Sequence, residues 1–398
     1  MARRIRKSAW GTTLLRSLGT LTRATLRSGA RALKQAARKK PRRAAKKTAV
    51  RVAKRVATKA VKQAGSVAAP IAKAIVAPIA APIAKPLAKP LAKPTTRPRS
   101  KPLKTRRPGV VPTAGWSGGV AVVAGTARRY RLYRPPGALA RVRLPLLVML
   151  HGCQQNAERF ERSARLQRLA AQLRFCVLYP DQERMAHPQG CWNWYEMRSG
   201  RAFGEAATIV AQIDQLCERQ IADPARVAVA GLSAGASMAA LLGLRYPQRF
   251  KAVAMHSGIG PGAAQSSSGV LAAMHGRRAP SLPPRVDGDP TLPPLLVIQG
   301  TLDAVVRAPN GRAIAQVWAE QRGAHALPVR TAQRGQRYPV AVTDFKVGAR
   351  IAVSLCEVQG LGHAWSGGAP GQPFSDPKGP DASRMVWAFA AREFRRGR

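Results

Sequence analysis

Acid is what this sequence has least of. Its 398 residues hold 18 Asp and Glu against 67 Lys and Arg, a formal net charge of +49. The first acidic residue is Glu158, so residues 1–108, with 31 Lys and Arg, carry no carboxylate at all. Aromatics are almost missing there too, Trp10 standing alone. Such a segment cannot bury enough apolar surface to offset its ordering entropy, which excludes a packed core over residues 1–111. Long hydrophobic runs are absent as well: no stretch reaches the roughly 18 apolar residues of a transmembrane helix. After MARRIRK, Arg16 and Arg23 interrupt anything resembling the apolar run of a secretion signal. Cysteine is sparse and odd in number, at positions 153, 176, 191, 217 and 356. That set suits a reducing compartment better than a disulfide framework, so a cytoplasmic location is expected, with an extracellular one as the alternative.

What the basic segment does contain is patterned. Trp10, Leu14, Leu18 and Leu21 recur at helical spacing, and Val52 and Val56 begin a weaker stripe, both among basic residues. These read as amphipathic helices that form on a surface. From Pro78 to Pro94 a proline falls at every fourth position, which excludes helix and favours an extended spacer. The partners of such a tail would be a polyanion such as nucleic acid, or an apolar–aqueous interface. The same composition also suits a solubilising tail.

Residues 112–398 are different in kind. The remaining 36 basic residues face all 18 acidic ones, and apolar runs alternate with turns. Strands are predicted at 120–123, 129–133, 146–150, 175–179, 227–230, 252–256, 295–299 and 351–358. Helices are predicted at 157–173, 203–219, 234–244, 311–322 and 382–394. Continuous apolar strands alternating with amphipathic helices predict an α/β domain with a mainly parallel sheet flanked by helices. Catalytic groups then gather at the carboxyl ends of the strands.

The stretch Arg226 to Leu242, RVAVAGLSAGASMAALL, reads as strand, sharp turn and helix around Gly231-Leu-Ser233-Ala-Gly235. Small residues on both sides let the serine adopt a strained backbone and project its hydroxyl at the helix N-terminus. A serine nucleophile needs an imidazole to take its proton and a carboxylate to orient that imidazole, in the chain order Ser, Asp or Glu, His. His363 follows a strand in a glycine-rich loop, whereas His275 and His325 lie in irregular or helical sequence and His256 precedes every plausible carboxylate. Asp303 directly follows the strand LLVIQ. Asp287 and Asp289 sit in a Pro/Gly-rich loop, and Asp344 has no strong strand before it. Ser233, Asp303 and His363 are therefore the expected catalytic set. For the oxyanion, the backbone N–H of Ala234 and that of Cys153, just past the strand ending at Leu150, are the candidate donors. His151 reads as a structural histidine beneath that loop.

Taken together, HGCQQNA (151–157), LYPDQ (178–182), CWNWY (191–195), DPARVAVAGLSAGASMAALLGLRYP (223–247), GTLDAVV (300–306) and GHAWSGG (362–368) resemble the esterase family of poly(3-hydroxybutyrate) depolymerases. The resemblance implies an α/β-hydrolase fold, the same serine–aspartate–histidine set, no metal or organic cofactor, and hydrolysis of hydroxyalkanoate esters. Members of the broader group remove feruloyl or acetyl groups from polysaccharides. In secreted relatives the places of Cys153 and Cys191 can be bridged. Ser366 stands where the family often has proline, and Gln299 where it commonly has histidine. Trp192, Trp194 and Trp365 are expected in loops around the site, where they would contact an apolar polyester or simply pack the loops.

Overall fold

The computed structural model describes residues 115–123, 126–138, 142–284 and 291–396. The basic tail, with its expected surface helices and proline spacer, lies outside the described residues, as do Asp287 and Asp289.

Thirteen strands and seven α-helices follow along the described chain. β1 (Gly115–Val123), β2 (Thr126–Arg134) and β3 (Leu144–Leu150) come first, then α1 (Ala157–Ala164), α2 (Leu166–Leu173) and β4 (Cys176–Pro180). α3 (Arg201–Glu218), β5 (Ala222–Leu232), α4 (Ala234–Arg245) and β6 (Ala252–His256) form the middle. α5 (Ser267–Met274), β7 (Leu295–Gly300), α6 (Pro309–Gln321), β8 (His325–Ala326), β9 (Arg330–Ala332), β10 (Val340–Val347) and β11 (Arg350–Val358) follow. Last come β12 (Trp365–Ser366), β13 (Ser375–Asp376) and α7 (Ala382–Arg396).

The main sheet has eleven strands in the order β1-β2-β4-β3-β5-β6-β7-β11-β10-β8, with β9 also on β10. Its centre, from β4 to β11, is parallel, and antiparallel pairs close both flanks. Alternation along the strands divides the core. Leu146, Val148 and Leu150 of β3 join a cluster with α3, α4 and α6, while Leu147 and Met149 join one with α1, α2 and α7. A strand apolar on both faces is stable only when covered on both, and truncating one such leucine to alanine costs about 2–5 kcal/mol.

Two sequence expectations are corrected. Residues 157–173 are two helices, broken where Arg165 takes φ 51° and ψ 36°. Its guanidinium Nη2 donates to the carbonyls of Gly367 (3.0 Å) and Gly368 (3.3 Å), a contact that holds the break. Asp344 does lie on a strand, β10. Thr343, Asp344 and Lys346 obscure its apolar pattern, because Asp344 there serves polar partners: its carboxylate accepts from Ser354 Oγ (2.5 Å) and Arg330 Nη2 (3.2 Å). No helix among the described residues is long and apolar enough to cross a membrane.

Candidate active site

β5 ends at Leu232 and α4 begins at Ala234, so Ser233 alone makes the turn. It does so at φ 56° and ψ −121°, a left-handed strained backbone for a residue with a Cβ. The flanking glycines are sterically required. A Cβ on Gly231 would stand 2.3 Å from the backbone of Gly235, and one on Gly235 would stand 2.2 Å from the carbonyl oxygen of Leu150. Hydrogen bonds fix the strained residue: its N–H donates to His256 O (2.9 Å), and its carbonyl accepts from Ser237 N–H (3.1 Å). The first N–H groups of α4 have no intrahelical acceptor and give this end a partial positive charge beside the serine.

Asp303 lies just past the end of β7. Its Oδ1 accepts from the N–H groups of Val305 (2.9 Å) and Val306 (2.8 Å), which fixes the plane of the carboxylate. Its Oδ2 faces Nδ1 of His363 at 2.8 Å, and both side chains are nearly closed to solvent. A carboxylate only accepts, so Nδ1 carries the proton and Nε2 is the basic nitrogen. The loops bearing the two residues are joined: Leu302 N–H donates to Leu361 O (3.0 Å) and Gly360 N–H to Thr301 Oγ1 (3.1 Å). Ser233, Asp303 and His363 thus all follow the carboxyl ends of parallel strands in one run of the sheet, β5-β6-β7-β11.

His256, between them on β6, does different work. Its Nε2 accepts from Ser366 N–H (3.1 Å), which leaves the proton on Nδ1, facing Ser257 Oγ (3.1 Å). Burial first, then the charge of His363, push its pKa down to about 3, with Asp303 opposing. It is neutral, and it ties the His363 loop to the strand beside Ser233. Gln299, buried beneath Asp303, donates to Val306 O (2.9 Å) and Asp303 Oδ2 (3.4 Å). His275 caps the end of α5, and His325 is exposed on β8.

The loop after β3 meets the serine from the other side. A Cβ on Gly152 would lie 3.4 Å from Ser233 Cβ, so the two backbones run in contact, with the N–H groups of Cys153 and Ala234 each one residue beyond that contact. Cys153 is disulfide-bonded to Cys191. Two of the five cysteines are therefore paired, which their odd count did not foretell. Cys176 and Cys356 are core thiols whose pKa burial pushes up to about 12, and Cys217 is half-buried. His151 is buried and neutral: Nε2 accepts from Gln182 N–H (3.1 Å), Nδ1 donates to Gly152 O (2.9 Å), and burial lowers its pKa.

Of the two readings of the tryptophans, substrate contact or loop packing, their burial agrees with packing. Trp192, Trp194 and Trp365 are at most 3% exposed and belong to the core. Trp192 Nε1 donates to His151 O (3.0 Å), and Trp365 packs edge-on to Phe160 and donates to Ser383 Oγ (3.1 Å). Missing from the sequence reading was the polar group behind the loop, Gln182, Asn193 and Glu205. In a helix of mixed polarity, Glu205 carries no mark that separates it from a solvated face.

Comparison with known proteins adds four findings. The sequence profile described as Esterase PHB depolymerase matches residues 128–336, which contain Cys153, Ser233 and Asp303, with His363 beyond its end. Poly(3-hydroxyalkanoate) depolymerase C of Paucimonas lemoignei is 39% identical over 115 residues, 29% of this chain and 28% of that protein. Feruloyl esterase B of Neurospora crassa is 33% identical over 116 residues, 29% of this chain and 39% of that protein. The chain thus matches well under two thirds of the length of these relatives. Among solved structures, an acetyl xylan esterase from Aspergillus awamori superposes with a TM-score of 0.51 at 18% identity, over 62% of this chain and 94% of that one. That likeness concerns the fold alone, which is the α/β-hydrolase fold.

Proposed function

The chain belongs to the Esterase PHB depolymerase family, and from that membership we propose that it is a serine carboxylic ester hydrolase whose substrate is a polyhydroxyalkanoate or its short oligomers. One observation carries the chemistry: a serine held at a strained strand-to-helix turn, with an Asp303–His363 pair at 2.8 Å beyond neighbouring strands of the same sheet. Ser233 Oγ attacks the ester carbonyl and its proton passes to His363 Nε2, while Asp303 holds the imidazole tautomer and supports its positive charge. The tetrahedral oxyanion accepts from the N–H groups of Cys153 and Ala234, an arrangement worth about 2.7–4 kcal/mol per donor in this class of chemistry. The carbon–oxygen bond then breaks, the alkoxide leaves with the proton from His363, and an acyl-serine remains. Water, deprotonated by His363, attacks the acyl group; the carboxylic acid departs and Ser233 regains its proton.

The polyester reading is supported by the named relative from Paucimonas lemoignei. The second reading, a feruloyl or acetyl esterase, is supported by the feruloyl esterase likeness. Clearing of amorphous polyester granules, run beside a panel of feruloyl, acetyl and p-nitrophenyl esters, separates them. Granule clearing lost on Ser233→Ala supports the first; feruloyl or acetyl turnover without clearing supports the second. For the basic tail we take attachment to the granule surface, with accessory binding to polyanions.

A further inference from the structure

The loop that carries Cys153 is anchored from one side by a single segment. Gln182 N–H donates to His151 Nε2 (3.1 Å), Gln154 N–H donates to Gln189 O (2.8 Å), Trp192 Nε1 donates to His151 O (3.0 Å), and Cys191 is bonded to Cys153. Each of these ties has its partner within residues 182–192, so that segment sets one side of the loop.

The segment in turn is gathered around one buried carboxylate. Glu205, in the second turn of α3, is 5% exposed. Its Oε1 accepts from Gln182 Nε2 (2.7 Å) and Asn193 Nδ2 (2.6 Å), and its Oε2 from the backbone N–H of Asn193 (2.8 Å). Gln182 Nε2 also reaches Cys191 O (3.1 Å). All three atoms that meet the carboxylate are donors, matching a group that only accepts. The arrangement has a cost: the amide oxygens of Gln182 and Asn193 are buried and meet no hydrogen-bond donor among the described residues. Each such orphan disfavours the fold by about 1–3 kcal/mol. Two amides turned so that both point nitrogen at Glu205 are stable only because charge-assisted bonds are stronger than neutral ones.

We propose that Glu205 is a positioning residue for the oxyanion hole, acting through Gln182 and Asn193 to set the segment that ties the Cys153 loop against Ser233. The proposal rests on the reading of Ser233 as nucleophile and Cys153 N–H as oxyanion donor. Glu205 touches neither substrate nor reacting atoms. Its removal acts through the placement of one donor, which the transition state needs more than the ground state does.

The test compares full-length wild type, Glu205→Gln and Ser233→Ala by steady-state kinetics on p-nitrophenyl butyrate, with Tm and the Ki of an alkyl trifluoromethyl ketone, whose hemiketal oxygen occupies the oxyanion position. In Glu205→Gln an amide nitrogen replaces one acceptor and faces donors. The expected result is a kcat lowered about 10- to 100-fold, as for displacement of a reacting group by roughly 1 Å, KM nearly unchanged, and Ki raised in parallel with kcat. Adding Asn193→Asp to Glu205→Gln, which exchanges carboxylate and amide across the same contact, should recover part of both. A lowered Tm with kcat and Ki unchanged, or a loss confined to KM, overturns the proposal. Should Glu205→Gln not fold, Asn193→Ala keeps the carboxylate, removes one of its amides and is read by the same criteria. Ser233→Ala separates the levels: if it stays active the underlying reading fails, whereas an inactive Ser233→Ala beside a fully active Glu205→Gln defeats this proposal alone.

Discussion

Nδ1 of His363 lies 2.8 Å from Oδ2 of Asp303, and the other oxygen of that carboxylate is held by two backbone N–H groups. The carboxylate therefore cannot turn away, and the imidazole is fixed in one tautomer. Asp303→Asn places an amide where the tautomer is set, so kcat on a soluble ester should fall by up to about 10⁴-fold with KM and Tm little changed. Asp344→Asn, which disturbs Ser354 and Arg330, should leave kcat in place and lower Tm. Steady-state kinetics and thermal melts of the two variants check this; the reverse pattern would move the catalytic carboxylate to Asp344.

Gly235→Ala should be among the most damaging small substitutions in the protein. The new methyl would meet the carbonyls of Leu150 and His151, which are backbone and cannot rotate aside. Overpacking of this kind costs about 1–3 kcal/mol or more, and relief would push Ser233 away from the Cys153 loop. Gly204→Ala is the control. Its Cβ would meet nothing within 4 Å at this exposed position of α3, and it should stabilise by about 0.4–1 kcal/mol. Denaturant melts of both variants read the difference in sign.

Acid should destabilise the fold through its neutral histidines. His256 has a folded pKa of about 3, below its ordinary 6.5, and His151 is shifted in the same direction. The unfolded chain therefore binds protons that the folded one refuses. Stability is fully present above about pH 6.5 and falls by about 1.4 kcal/mol per pH unit for each such histidine as pH drops toward the folded value. Over pH 6 to 4, His256→Gln should shallow the fall in unfolding free energy by one proton's worth. An unchanged slope would mean that His256 is protonated in the fold.

Chemistry and attachment should be separable. Removing residues 1–108 should leave kcat/KM on a soluble ester nearly unchanged and reduce co-sedimentation with polyester granules. If the tail also binds duplex DNA, affinity should fall with salt at a log–log slope of about −0.9 per phosphate neutralised. Equal granule binding with and without the segment would leave it a solubilising role.

How far the sequence could be read depended on where each signal resides. Ser233 was legible because its chemistry and backbone constraint fall within five consecutive residues, and Asp303 because it directly follows an apolar strand in the required chain order. Strand β10 was hidden because Asp344 answers to Ser354 and Arg330, polar partners that no periodicity displays. The break at Arg165 carries neither glycine nor proline, and the partners of its side chain lie about two hundred residues away. For the tryptophans the sequence left substrate contact and loop packing both open; the Cys191 bridge and the Glu205 hydrogen bonds hold CWNWY in the core, which no local pattern displays.

The most direct test of the account is the covalent one. Full-length protein is treated with a fluorophosphonate, which transfers its phosphonyl group to an activated serine with loss of fluoride, and the adduct is located by peptide mass mapping. The account predicts one stoichiometric adduct on Ser233, complete loss of ester hydrolysis in proportion to labelling, and no adduct in Ser233→Ala. Labelling on another residue, or hydrolysis that continues after Ser233 is fully modified, would contradict it.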